Sequence, residues 1–268
     1  MMLPRPLVAC VVALLLPFLA ACATTGPGPA ATPEARQALA PTGSLRVGVY
    51  RGSPTSYVVE GNAAPRGVGY DLGRALAQAL GVPFVPVVFE KNADVFAGLA
   101  AGKVDVTFTN ATPARARDLD FTPPFLDVEQ GYLVPPRSPV ESQDGIDRPG
   151  MRVGVSVGST SEATLGRVYR HATLVRVPTL ENAVEWLRDG RLDAFATNKA
   201  ILYELSDALP GSRVLPGHWG LEHFAAGIPK GREAGMPFAR AFVAQAIADG
   251  TVAAAVARAG VRGTVAPQ

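Results

Sequence analysis

An internal repeat constrains this chain more than any other feature of its sequence. Arg46-Val47-Gly48-Val49-x-x-Gly52-Ser53 recurs as Arg152-Val153-Gly154-Val155-x-x-Gly158-Ser159. Further on, Leu99-x-x-Gly102-Lys103-Val104-Asp105-Val106-x-x-Thr109-Asn110 recurs, in the same order, as Leu187-x-x-Gly190-Arg191-Leu192-Asp193-Ala194-x-x-Thr197-Asn198. The first motif reads as a β-branched strand running into a small-residue loop, the second as a helix end, a glycine turn and a strand. Any two α/β units share glycine turns and valine-rich strands, but this match includes an Asp and a Thr-Asn at fixed offsets. Two similar units in one chain are the economical reading.

Between the motifs, strand-like and helical patterns alternate: strand Leu45 to Val49, helix Asp71 to Leu80, strand Phe84 to Phe89, helix Asn92 to Ala101, strand Val104 to Thr109. That order predicts α/β layers. Leu72, Ala75, Leu76, Ala79 and Leu80 share one helical face that Gly81 ends, and Leu180, Ala183, Val184 and Leu187, closed by Gly190, repeat the logic. The first copy is the longer, and Tyr57 to Gly69, with Gly61-Asn62 at its tip, is the natural insert, a hairpin laid over the first unit. In open α/β sheets ligands bind beyond the carboxyl ends of the strands. Both Gly-Ser loops and both Thr-Asn ends should therefore face one shared crevice.

The N-terminus carries an address. Arg5 precedes an apolar run from Leu7 to Leu19, and Leu19-Ala20-Ala21-Cys22 follows at once. This reads as a secretory signal, residues 1–21, too short and too proline-broken to span a membrane. Leu-Ala-Ala-Cys resembles the lipobox of bacterial lipoproteins, which implies cleavage before Cys22 and acylation of that cysteine, with palmitate-type chains holding the protein to a membrane. Cys10 would leave with the signal, so no disulfide or cysteine metal site is expected. Residues 22–43, rich in Ala, Thr, Gly and Pro, read as a flexible tether, with folding from Ser44. A formal net charge of +2 with no dense Lys/Arg run leaves no footprint for nucleic acid.

After the first Thr-Asn comes Ala111-Thr112-Pro113-Ala114-Arg115-Ala116, then Asp120-Phe121-Thr122-Pro123-Pro124-Phe125. With Gly67 to Leu72 (GVGYDL), Val157 to Glu162 (VGSTSE), Ala226 to Gly231 (AGIPKG) and Ala248 to Thr251 (ADGT), this order resembles the solute-binding proteins of polar amino acid ABC transporters, called family 3 or periplasmic binding protein type 2. The resemblance covers nearly the whole chain beyond the tether. It implies a two-lobed α/β fold, each lobe a mixed sheet flanked by helices, with a ligand cleft between the lobes. Lobe 1 would comprise 44–132 plus 226–268 and lobe 2 133–225, the chain crossing near Gly131 to Val134 and His223 to Gly227. It also implies a monomeric extracytoplasmic lipoprotein, in the periplasm or at the cell surface, that closes on a small carboxylate-bearing solute and presents it to an ABC permease.

The resemblance assigns the carboxylate to Arg115, whose guanidinium offers two parallel donors. A surface pairing of Arg115 with Asp118 or Asp120 is the competing reading, and Arg117 is expected at the surface. Asn110 stands beside Arg115. Ser159 and Thr160 open a helix whose free N–H groups suit an anion, although simple N-capping explains them equally. Tyr50, Arg51 and Ser53 follow the first repeat strand, where relatives place side-chain-selecting residues.

Asn198 departs from the pattern: amino acid binders of this kind place an Asp there against the ligand's ammonium. An amino acid would then need another acid, Glu162 or Glu222, or cation-π help from Tyr50 or Trp219; otherwise the expected ligand is a carboxylate lacking a free ammonium, or one with a second acidic group, reached by Arg115, Arg51 and Lys199. His218 and His223 lie in a stretch that reads as irregular and lacks metal-ligand spacing. The sequence carries no nucleophile elbow, phosphate loop or metal signature, so no catalysis and no cofactor are expected. The alternatives are a cyclohexadienyl-dehydratase-like enzyme on the same fold and a ligand-sensing lipoprotein serving a signalling partner.

Overall fold

The structure, a computed structural model, describes residues 30–265. The expected signal segment and lipidated Cys22 lie outside the described residues. Chain order begins with α1 (Pro33–Leu39), capped by Thr32, whose hydroxyl accepts the Ala35 N–H at 3.1 Å, with Pro33 preset for the first turn. Leu39 is 0% exposed and Ala35 is buried beside it. The expectation of a loose tether up to residue 43 is thus corrected: Leu39 and Ala35 are apolar side chains one helical turn apart, and they join the first core.

Then follow β1 (Leu45–Tyr50), α2 (Val68–Leu80), β2 (Phe84–Phe89), α3 (Asn92–Ala100), β3 (Val106–Asn110), β4 (Leu119–Phe121) and β5 (Leu126–Val134). The second copy supplies β6 (Arg152–Ser156), α4 (Thr160–Val168), β7 (Thr173–Val177), α5 (Leu180–Arg188), β8 (Ala194–Asn198) and α6 (Lys199–Ala208). The short β9 (Arg213–Val214), β10 (Gly220–Pro229), α7 (Met236–Ala248), α8 (Thr251–Ala259) and β11 (Thr264–Val265) complete the described chain. The main path through the sheet is β2-β1-β3-β10-β5-β8-β6-β7. Its ends mirror each other, because β1 is parallel to β2 and β3 just as β6 is parallel to β7 and β8. The antiparallel strands β10 and β5 join the halves: β10 pairs β3 through Phe224 to Gly227 and β5 through Gly220 to Phe224, and β5 pairs β8 through Gln130 to Leu133.

The repeated residues do the same work twice. Asp105 accepts the Arg46 backbone N–H and two guanidinium N–H groups at 3.0, 2.8 and 2.7 Å. Asp193 accepts the same three from Arg152 at 2.8, 2.9 and 2.9 Å. Each pair clips the start of a parallel strand to the turn before its neighbour. Gly48 and Gly154 are required by close approach, since a Cβ would lie 2.9 Å from Val104 on the first and 2.6 Å from Leu192 on the second. The Tyr57 to Gly69 insert does double back, with Val58 and Arg66 exchanging N–H···O bonds of 2.7 and 2.9 Å.

Two cores follow from the amphipathic elements, one holding Val47, Leu72, Leu76, Phe108 and Phe242, the other Tyr132, Val153, Val155 and Leu165. A third cluster gathers Tyr50, Val95 and Leu99 from the first copy with Val177, Leu180 and Leu187 from the second. Apolar contact therefore runs across the line between the halves.

Candidate functional site

The carboxyl ends of β1, β3, β6 and β8 converge on one cleft, bringing Tyr50, Asn110, Ser156 and Asn198 together. Its free space, mouth included, is about 580 Å³. Of the residues expected at a binding site, Tyr50, Ser53, Asn110, Arg115, Ser159, Thr160 and Asn198 line it. Arg51 does not.

Arg115 forms the positive wall. It opens a single 3-10 turn after β3, and its Nη1 donates to Thr109 Oγ1 at 2.9 Å and to the Asn110 carbonyl at 3.0 Å. The Phe96 ring lies against the guanidinium, 4.2 Å from its Cζ. Asp120 is taken by Lys230, and among the described residues no carboxylate forms a salt bridge with Arg115. Burial lowers the Arg115 pKa to about 10, with the charge of Glu222 acting the other way, so the guanidinium stays protonated at neutral pH. Among the described residues its guanidinium makes hydrogen bonds through Nη1 alone. Arg117 is exposed, as expected for a surface residue.

Facing it, α4 begins at the cleft. Ser159 is its N-cap, accepting the Glu162 N–H at 3.0 Å, which is the plain capping role. Yet Ser159 and Thr160 also line the cleft, and the first N–H groups of a helix have no intrahelical acceptor. Capping and anion contact can share this turn.

Glu222, on β10, supplies the negative wall. It is 6% exposed and three donors meet it: Thr160 Oγ1 at 2.6 Å and Gln130 Nε2 at 3.3 Å on Oε1, and Asn198 Nδ2 at 2.9 Å on Oε2. A carboxylate has about four acceptor positions, so capacity remains on Oε2 for one more donor. Asn198 spends its other amide atom on α6, where Oδ1 accepts the Ile201 N–H at 3.1 Å. Asn198 and Glu222 thus meet across β5, two strands apart in the sheet, the amide holding the carboxylate.

The expectation that Arg51 and Lys199 reach an acidic ligand is not met. Arg51 pairs with Glu90 at 2.7 Å on the outer surface, and Lys199 pairs with Glu129 beside Gly131 and Gly263. Glu162 turns back to the Gly158 N–H and to Arg176, away from the cleft. His218 and His223 pair with Glu129 and Asp127. Among the described residues no group of His, Cys, Asp and Glu is placed to hold a metal.

From Gly220 on, the stretch read as irregular is in fact the start of β10, with His218 and Trp219 preceding it. Its alternation was the missed signal: Glu222 and Phe224 face the cleft while His223 between them is half-exposed on the other face. Phe96 and Gln130 were also missed, because neither lies in a repeated motif. Tyr50 is 7% exposed, and its hydroxyl is buried without a hydrogen-bond partner of good geometry.

Comparison with known proteins fits this arrangement. Residues 45–260 match the family described as bacterial extracellular solute-binding proteins, family 3. The ABC transporter glutamine-binding protein GlnH of Bacillus subtilis (strain 168) is 25% identical over 138 residues, 51% of this chain and 50% of its own length. The chain spans about half the length of the curated relatives it matches. Among solved structures, the solute receptor for L-cysteine of Neisseria gonorrhoeae superposes with a TM-score of 0.76 at 25% identity, covering 87% of this chain and 99% of that one. A mutant of ArgBP from T. maritima gives 0.75 at 22% identity over 83% and 97%, a likeness of fold. With its mirrored α/β halves and strand-end cleft, the chain belongs to the bacterial extracellular solute-binding proteins of family 3 and has the type 2 periplasmic-binding-protein fold.

Proposed function

We propose that this chain is the ligand-capturing receptor of an amino acid ABC transporter and holds its ligand as a zwitterion. The ligand carboxylate meets Arg115 and the start of α4; the ammonium meets Glu222. One observation carries the reading: among the described residues, Arg115 and Glu222 are the only charged side chains lining the cleft, they are opposite in sign, and each keeps unused hydrogen-bonding capacity. A ligand with two opposite charges satisfies both, whereas an organic acid leaves Glu222 facing an uncompensated site. The relatives' names, which speak of glutamine and L-cysteine, agree with an amino acid cargo.

We place the division of the lobes at the crossing strands β5 and β10, roughly 33–132 plus 226–265 against 133–225, with ligand contacts to both favouring closure. The Leu-Ala-Ala-Cys motif supports export and lipid anchoring at Cys22, with a permease in the membrane as partner and the receptor acting as a monomer. Mass spectrometry of ligand released from purified protein, followed by calorimetry on Arg115→Ala, tests the core of this. An amino acid should be found, and the variant should lose it; unchanged affinity would sink the assignment. Mass spectrometry of the N-terminal peptide, with and without Cys22→Ser, tests the anchor.

A further inference from the structure

We infer that the captured amino acid has an uncharged side chain, no longer than that of glutamine, that carries a hydrogen-bonding group, a hydroxyl, thiol or carboxamide. This rests on the zwitterion reading above and narrows it.

The first observation is the chemistry of the wall left over once Arg115 and Glu222 are assigned. It sets the hydroxyls of Tyr50, Ser53 and Ser156 among apolar Val95, Phe96 and Ile201, and carries no charge. Glu90 and Glu181 lie beyond it and do not line it, and Glu90 is already paired with Arg51. A cationic or anionic side chain closed into this wall would lose water without meeting a counter-charge.

The second observation is independent. Most of the hydroxyls there are already engaged: Ser53 and Thr55 bond each other at 2.9 Å, and Ser56 Oγ accepts the Tyr50 N–H at 2.8 Å. The Tyr50 hydroxyl is held less firmly: Ser156 lies near enough to act on it, but without good hydrogen-bond geometry. Its ring packs in the cluster that holds Val177 and Leu180, its oxygen is buried, and no hydrogen-bond partner of good geometry is present. Buried polar groups in folded proteins are nearly always paired, so an unpaired one beside a binding cleft marks where a ligand group is received. Burial pushes its pKa up to about 12, with Ser156 acting the other way, so it remains a donor at neutral pH.

The third is room. The halves already touch over the cleft, where Asn92 Nδ2 donates to the Gly158 carbonyl at 3.2 Å and Gly52 approaches Leu180 so closely that a Cβ would lie 3.1 Å from its Cδ1. A long side chain would hold these contacts apart.

Calorimetry of the purified chain against L-serine, L-threonine, L-cysteine, L-asparagine, L-glutamine, L-alanine, L-arginine and L-glutamate tests the inference. One of the first five should bind at least about tenfold more tightly than alanine, arginine or glutamate. Tyr50→Phe, close to isosteric and checked by thermal melting, should shrink the ratio of that best affinity to alanine's by about tenfold. Arginine or glutamate binding tightest, or a ratio unchanged in Tyr50→Phe, would overturn it. Arg115→Ala and Glu222→Gln separate the two levels. If both weaken every amino acid while arginine wins, the side-chain inference falls and the zwitterion reading stands; if neither changes affinity, or nothing binds, both fall.

Discussion

Asn198 combines two tasks that an aspartate could not. Its oxygen caps α6 and its nitrogen holds Glu222 at 2.9 Å. Asn198→Asp would keep the cap but replace a donor with a second carboxylate beside a buried one. Two adjacent carboxylates cannot both ionise cheaply, so the pair's folded pKa rises above its unfolded value. The folded state then binds more protons than the unfolded one. Its deficit is therefore full at neutral pH and is relieved as pH falls through that raised value. Denaturant titrations of Asn198→Asp should show a loss of about 1 to 3 kcal/mol at pH 7 that narrows toward pH 5; a loss independent of pH would contradict this. The departure at Asn198 was legible in the sequence, and so were its two readings, another acid in the cleft or a ligand without a free ammonium. Which acid was not, because Glu162 and Glu222 are equally acidic on paper. Only the pairing of β10 with β3 and β5 turns Glu222 inward, while capping and Arg176 turn Glu162 out.

At the scale of elements, the repeat made the α/β layers and the cleft location readable, since strand ends in an open sheet converge by geometry. It did not reveal that Arg46–Asp105 and Arg152–Asp193 are clips, because the partners lie far apart in sequence. The two clips differ in strength. The Asp105 side chain is fully buried and also takes Arg232 at 2.8 Å, whereas that of Asp193 is 32% exposed. Burial works to raise the Asp105 pKa, but hydrogen bonds from Arg46 and Arg232 outweigh it and leave it below the usual range; Arg152 lowers Asp193 in the same way. Depressed carboxylates contribute stability that is present above their unfolded pKa, about 3.9, and lost as pH falls through the folded value. Both clips should therefore hold at neutral pH and fail only below about pH 4. Asp105→Asn should cost about 3 kcal/mol by stranding two guanidinium groups, and Asp193→Asn about 1 kcal/mol or less. Equal shifts in urea midpoint would refute the asymmetry.

Helix α1 escaped the sequence reading because seven residues are too few to show a helical period; Leu39, Ala35 and Ala40 are buried in its docking, and Arg36 Nε donates to the Leu80 carbonyl at 2.8 Å. A chain beginning at Ser44 loses that buried leucine and should be less stable than one beginning at residue 30 by about 2 kcal/mol. Matching midpoints for the two chains would show that the docking contributes nothing.

At the scale of the whole molecule, the two halves meet over the cleft, through Asn92 and Gly158 and through Gly52 and Leu180. Gly158 has φ +75°, and a Cβ there would lie 2.9 Å from the Ala93 Cβ. Gly158→Val should obstruct closure and weaken every ligand by a similar factor of about tenfold or more, without changing their rank. A loss confined to one ligand would place Gly158 in selection rather than closure.

We propose that two opposite charges, Arg115 and Glu222, grip the two ends of one amino acid. Calorimetry comparing the best-bound amino acid with its desamino analogue, on the unaltered chain and on Glu222→Gln, tests it most directly. The unaltered chain should prefer the amino acid by about ten- to a hundredfold, a charge-assisted bond's worth, and Glu222→Gln should erase most of that preference. Equal binding of the two ligands by the unaltered chain, or a preference that survives in Glu222→Gln, would contradict it.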